Sequence, residues 1–244
     1  MTDAERFEQV YRDDRTTRGL PAATPWDIGG PQPVVQRLVA LGAVKGEVLD
    51  PGTGPGHHAI YFAAKGFPTT GIDVSATAIE RARLNAQKAG VTVNFEVADA
   101  KKLNGFEDRF DTVVDTAFYN TFAEDKDAQH DYLLALHRAT RPGARLYMAE
   151  AADYTVNGFF MPPAMSEDVL RQSLPAGGWE ISYLGPTTYQ VNVSVERFEA
   201  MLQQNPDAPP RIRAIVERLR VIEPLLDGGL LHAPFWEIHA TRVD

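Results

Sequence analysis

The sequence predicts a doubly wound α/β fold, a mostly parallel sheet with helices on both faces. Two observations carry that prediction. Short apolar runs alternate with helical patterns through most of the chain, and one strand-like run enters a helix through a glycine-rich turn, Pro51-Gly52-Thr53-Gly54-Pro55-Gly56. Parallel strands need crossover connections, usually helical, so this alternation points to one class.

The elements follow in order. Glu47 to Asp50 is a buried-strand candidate, and His57 to Lys65 a helix closed by Gly66, where positive φ is wanted. Phe67 to Asp73 reads as a second strand. Ser75 can cap a helix with Ile79, Ala82, Ala86 and Ala89 on its apolar face and Gly90 at its end. Val91, Val93, Phe95 and Val97 alternate with polar residues, the period of a half-solvated edge strand. Phe110 to Asp115 is the next strand. Asp125 opens a helix that Arg141-Pro142-Gly143 should end, and Arg145 to Glu150 is a fifth strand. A last strand follows Gly228-Gly229, with Trp236, Ile238 and Ala240 on one face.

Three regions break the alternation. Residues 1–33 carry an amphipathic piece (Phe7, Val10, Tyr11) and a Pro-rich stretch from Pro21 to Pro33, read as a cover segment. Residues 153–165 are an apolar loop, interrupted by Gly158, Pro162 and Pro163. Residues 194–227 hold two helical patterns, Val195/Phe198/Leu202 and Ile212/Ile215/Leu219/Ile222, split by Asn205 to Pro210. That insertion before the last strand is a packing or dimer element, or a lid.

Composition narrows the function. The 244 residues carry 24 Lys+Arg against 33 Asp+Glu, a net charge of −9, and no cysteine. A chain of this length buries roughly 70–75 % of its unfolded surface, so one domain spanning 1–244 is expected. Without cysteine there is no disulfide framework, thiolate metal site or cysteine nucleophile. The acidic balance argues against a nucleic-acid surface. No apolar run is long enough to span a membrane, and Met1 to Arg15 are polar where an export signal would be apolar, so a cytoplasmic protein is expected. No His/Asp/Glu cluster has metal-ligand spacing.

The glycine-rich turn carries the chemistry. A helix beginning near His57 offers unpaired N–H groups and a positive dipole end to a ligand. A dinucleotide fingerprint wants G-x-G-x-x-G, whereas here the third glycine comes one place early and His57 stands in its position. Asp50 closes the preceding strand. A carboxylate there would repel a pyrophosphate but suit the ammonium of an amino acid.

The spacing Asp50-x-Gly52-x-Gly54-x-Gly56 resembles motif I of the class I S-adenosylmethionine-dependent methyltransferases. Residues 24–38 are similar to the N-terminal segment of thiopurine- and tellurite-type small-molecule methyltransferases. Together with Val48 to Phe62 and Asp111 to Tyr119, they look most like the actinobacterial heterocyclic-toxin methyltransferases, which methylate N or O of quinolone-like compounds. The likeness covers about residues 20–150. It implies a seven-stranded Rossmann-like sheet and S-adenosyl-L-methionine as cofactor.

The resemblance also implies a cofactor site built from Trp26, Asp50, Gly52, Thr53, Gly54, Gly56, Asp73, Val74, Asp99, Ala100 and Asp115. Asp73 lies 23 residues after Asp50 (73 − 50) at a strand end, where a carboxylate can accept both ribose hydroxyl protons. Asp99 is placed for the adenine amino group, and Asp115 for the meeting point of cofactor and acceptor. Asp73 could instead begin a turn, and Asp99 could be a plain loop residue.

An acceptor site should be concave and apolar with few polar groups. Candidates are Phe7, Tyr11, Phe118, Asn120, Tyr154, Phe159 and Phe160. Where relatives often carry Phe-His after the fourth strand, this chain has Tyr119-Asn120. A general base, if one exists, is Tyr119 or His130, and an acidic heterocycle needs none. The expected activity is N- or O-methylation of a small aromatic heterocycle, in detoxification or specialised metabolism. O-methylation of a phenol or quinone-derived metabolite, and cofactor binding without transfer, are the alternatives. The protein is expected to act as a monomer or homodimer.

Overall fold

The computed structural model describes residues 3–13, 24–159, 162–204 and 210–244. Its strands are β1 (Val48–Pro51), β2 (Thr69–Asp73), β3 (Asn94–Val97), β4 (Phe110–Thr116), β5 (Thr140–Ala151), β6 (Trp179–Asn192) and β7 (Leu230–Arg242). The helices are α1 (Asp3–Asp13), α2 (Pro33–Ala40), α3 (His57–Ala64), α4 (Ala76–Ala89), α5 (Lys126–Ala139), α6 (Glu167–Ala176), α7 (Val195–Gln204) and α8 (Pro210–Ile222). One seven-stranded sheet has the order β3-β2-β1-β4-β5-β7-β6. The pairs β1–β2, β2–β3, β1–β4 and β4–β5 are parallel, and β7 runs antiparallel to both β5 and β6. The chain winds outward from β1 to β3, then crosses back to β4. The crevice at the carboxyl ends of β1 and β4 is therefore the switch point where such sheets bind ligands.

Neighbouring residues of a strand face opposite sides, and here both sides are buried. Leu49, Val113 and Leu146 pack with Tyr132, Leu133 and Leu136 of α5 and Leu170 of α6. Val48, Val114 and Tyr147 pack with Val35 and Leu38 of α2, Phe62 of α3 and Leu219 of α8. That double burial is why these strands read as continuous apolar runs. The caps are as expected: Ser75 and Asp125 side chains accept from Ala78 N and Ala128 N, and Gly66 and Gly90 take positive φ.

Three expectations change. Arg141-Pro142-Gly143 does not follow the helix as a loop: α5 stops at Ala139 and β5 begins at Thr140, with a register shift against β4 that leaves 141–143 exposed. The third strand is at the edge, but only from Asn94 to Val97; Val91 and Val93 pack beside α4, and Val97 is exposed. The segment 166–193, for which no element was expected, forms α6, capped by Ser166, and the long edge strand β6. The insertion 194–227 forms two helices as expected, α7 and α8, whose Val195, Ile215 and Leu219 pack against Tyr189, Val191 and Val193. Its break at 205–209 lies outside the described residues. No described helix is long and apolar enough to cross a membrane.

Candidate active site

The turn after β1 is held from inside. Thr53 Oγ1 donates to Asp50 Oδ2 at 2.6 Å, and Ala59 N of α3 donates to the same oxygen at 3.2 Å. Burial pushes the Asp50 carboxyl up to about 7. Asp50 lines neither of the two cavities beside the turn; its carboxylate organises the loop and the start of α3. Gly52 has φ +67°, and a Cβ there would stand 2.2 Å from the Phe118 ring. At Gly54, with φ +53°, a Cβ would stand 2.7 Å from the Tyr11 hydroxyl. The loop thus lies directly against an aromatic from the segment after β4 and another from α1. Gly56 caps α3 beside Phe95, away from the cavity.

Asp73 ends β2 with its carboxylate almost fully buried. Gly54 N donates to its Oδ2 at 3.0 Å and Ser75 N to its Oδ1 at 2.9 Å. Burial outweighs these bonds and raises its carboxyl to about 6. Each oxygen keeps a lone pair for a further donor. Helix α1 is pinned beside this carboxylate. Glu8 accepts from Ser75 Oγ (2.7 Å), Thr77 Oγ1 (2.7 Å) and Thr77 N (3.2 Å) at the start of α4, and Arg81 donates to the Tyr11 carbonyl. The hydroxyls of Ser75 and Thr77 hold the Glu8 carboxyl down at about 2.

Between α1, the strand ends and the loop before α6 lies a cavity of about 350 Å³. It brings together Phe7, Tyr11, Trp26, Gly52, Asp73, Val74, Phe118 and Asn120, all expected at the site. A small adjoining cavity of about 40 Å³ adds Thr53 and Gly54, together with Asp27, His57 and His58. His57 Nε2 lies 3.0 Å from Asp27 Oδ1, and His58 Nδ1 lies 2.9 Å from Thr116 Oγ1. The larger cavity also contains residues that the sequence reading missed: Thr116, Pro162, Pro163, Tyr189, Val191 and Phe235.

Several expected residues lie elsewhere. Asp115 is fully buried beneath the cavity, where it accepts from Tyr132 OH at 2.6 Å and from the Phe118 and Tyr119 amides. Tyr119 is also fully buried and stacks on Tyr132; burial pushes its phenol well above its ordinary range. Neither it nor His130, exposed on α5, lines the cavity. Asp99 Oδ1 accepts from Lys101 N, and Ala100 joins the core under α5; both are outside the cavity. Tyr154 donates to the Phe235 carbonyl at 2.9 Å and sits edge-on to Trp236, and Phe159 packs in the core beside α8. Phe160 lies outside the described residues. Among the described residues no group of three His, Asp or Glu side chains could hold a metal ion.

Residues 44–183 match the family model described as a methyltransferase domain. The chain belongs to that family. The 2-heptyl-1-hydroxyquinolin-4(1H)-one methyltransferase of Mycobacteroides abscessus is 32 % identical over 193 residues, which cover 77 % of this chain and 82 % of that one. A structure solved for the conversion of a disulfide bond into a thioacetal group during echinomycin biosynthesis is similar at TM-score 0.75 and 30 % identity, covering 99 % of this chain and 93 % of that chain. The 1,6-didemethyltoxoflavin-N1-methyltransferase of Burkholderia thailandensis, with 1,6-didemethyltoxoflavin and S-adenosylhomocysteine bound, shares the fold at TM-score 0.59 and 20 % identity, covering 99 % of this chain and 87 % of that chain.

The protein is a class I methyltransferase, as motif I suggested, and S-adenosyl-L-methionine is its cofactor. The methyltransferase's own residues fit that cofactor. Asp73 presents a buried, acceptor-only carboxylate to the cavity, as a diol requires, and Val74 and Trp26 add apolar surface for a nucleoside.

Proposed function

We propose that this methyltransferase methylates a ring nitrogen or oxygen of a small aromatic heterocycle such as a 4-quinolone. The observation that carries the reading is the cavity's lining. It runs from Asp73 and Gly52 to Phe118, Asn120 and the paired rings of Tyr189 and Phe235, 4.5 Å apart and 12° from parallel. Mostly apolar walls with a few polar groups suit a flat heteroaromatic ring. The Mycobacteroides relative, whose name specifies a quinolone, supports the same class.

When bound, the cofactor supplies an electrophilic methyl on a cationic sulfonium with a neutral leaving group. The protein's task is alignment and exclusion of water. Asp73 would hold the sugar hydroxyls, with Trp26 and Val74 beside the nucleoside. Phe7 and Tyr11 close the cavity from α1, while Phe118 and Asn120 orient the acceptor. With Tyr119 and His130 away from the cavity, an acidic N–H or O–H acceptor gives its proton to solvent and needs no base from either.

The test is an acceptor panel of 4-quinolone, a phenol, a reduced quinone and a thiol, incubated with S-adenosylmethionine and EDTA and read by mass spectrometry. A single added methyl on the quinolone is expected. Methylation confined to the phenol, the quinol or the thiol would overturn the heterocycle reading, and so would no methylation of the quinolone at all.

A further inference from the structure

Two carboxyl groups lie buried together under the acceptor wall, and methyl transfer as proposed gives neither a task. Glu150 of β5 and Asp115 of β4 are both fully buried and within hydrogen-bonding reach of each other. Their remaining partners are almost all donors. Asn120 N donates to Glu150 Oε2 at 2.8 Å, while Tyr132 OH and the amides of Phe118 and Tyr119 donate to Asp115. Glu150 Oε1 has no hydrogen-bond donor. Two ionised carboxylates cannot share so small a dry space, and one proton between them removes the repulsion. Burial, and then each carboxyl's effect on the other, raises Glu150 well above the usual carboxylate range.

The consequence reaches the cavity through Asn120. Its backbone is held by Glu150, its Nδ2 donates to the Pro163 carbonyl at 3.1 Å, and its side chain lines the acceptor wall. Phe118, the neighbouring wall residue, hangs from Asp115 by its amide. The carboxyl pair therefore sets the corner at which the segment after β4 meets the loop before α6.

We infer that Glu150 is a positioning residue for the acceptor: as the neutral partner in a proton-sharing pair with Asp115, it fixes the Asn120 corner of the cavity. This rests on the proposed function for its catalytic readout alone. The titratable groups facing the pair are Tyr119 from the segment after β4, Tyr132 from α5 and Asp50 of β1, with Tyr189 of β6 farther off. The three phenols stay protonated, whereas Asp50, raised to about 7, also gives up stability as pH rises, so the pair's own part is the difference between wild type and Glu150→Gln.

Glutamine imitates the protonated acid, since its oxygen accepts from Asn120 N and its amide donates to Asp115. The experiment compares wild type, Glu150→Gln and Glu150→Ala. Melting temperature of the cofactor-free protein is followed from about pH 6 to about pH 9, and kcat and KM for 4-quinolone are measured at saturating S-adenosylmethionine. Wild type should lose melting temperature and gain acceptor KM as pH rises. Glu150→Gln should match wild type at neutral pH, lose clearly less melting temperature than wild type as pH rises, and hold its acceptor KM constant. Glu150→Ala, if it folds, should raise acceptor KM about tenfold with little change in kcat.

A Glu150→Gln variant that melts with the wild-type alkaline loss overturns the inference. So does one with a wild-type melting temperature but an impaired acceptor KM at neutral pH. Should wild type methylate no heterocycle, the proposed function falls, and the melting profile, which needs no acceptor, still decides whether the pair shares a proton.

Discussion

Replacing Asp73 by asparagine separates the two tasks given to that carboxylate. In the free protein it accepts from Gly54 N and Ser75 N, and asparagine can accept from only one of them. The orphaned amide costs about 1–3 kcal/mol. Removing a buried charge whose carboxyl is raised to about 6 offsets a similar amount. The net change is within about 2 kcal/mol, or roughly 4–8 °C of melting temperature for a chain of this size. Ligand binding should suffer more, because charge-assisted bonds to two sugar hydroxyls contribute about 1.5–3 kcal/mol each. A loss near 2.7 kcal/mol is about 100-fold in affinity.

The assay is thermal denaturation with and without S-adenosylhomocysteine. At a concentration near 100 times the wild-type Kd the ligand stabilises by about 2.7 kcal/mol, a rise of roughly 5–10 °C. After a 100-fold loss, the same concentration stabilises Asp73→Asn by about 0.4 kcal/mol, or roughly 1 °C. A variant with near-normal free-state melting and a full ligand-induced rise would refute the role given to Asp73.

Three further outcomes follow. Gly52→Ala places a methyl 2.2 Å from the Phe118 ring at φ +67°; because Phe118 packs edge-on against Phe122 and Tyr132, relief is costly, and a loss of about 2–4 kcal/mol in stability with weakened cofactor binding is expected in chemical denaturation and titration. Glu8, depressed from 4.5 to about 2 in the fold, contributes stability that is fully present above about pH 4.5 and lost as pH falls toward 2; Glu8→Gln should flatten that acid limb of the melting profile. Tyr119→Phe and His130→Ala should each keep kcat within about twofold, since Tyr119 has a buried hydroxyl without a hydrogen-bond partner and His130 is exposed on α5; a hundredfold loss in either would restore a base.

What was legible in the sequence was mostly local. The runs ending at Asp50, Asp73 and Asp115 marked parallel strands because both of their faces are buried, and Ser75 and Asp125 marked helix starts because their side chains satisfy free amides. Spacing placed Asp115 at a strand end, but only the fold shows that its carboxylate turns to Tyr132 under the cavity. Strand β6 escaped notice because Gly185-Pro186 interrupts it, which an edge strand tolerates and an inner strand does not. With β6 went Tyr189 and Val191, half of the far wall. The proposed cofactor side lies within one stretch of chain, whereas the proposed acceptor side is assembled from α1, the segment after β4, β6, β7 and the loop at 162–163, so sequence distance concealed most of it.

The most direct test of the account is a crystal structure of the protein with S-adenosylhomocysteine and 4-quinolone together. The account predicts both in the one cavity behind α1, the sugar on Asp73 and the heterocycle against Phe118, Asn120 and Tyr189 with its N or O facing the sulfur. A quinolone bound outside that cavity, or a nucleoside whose sugar avoids Asp73, would contradict it.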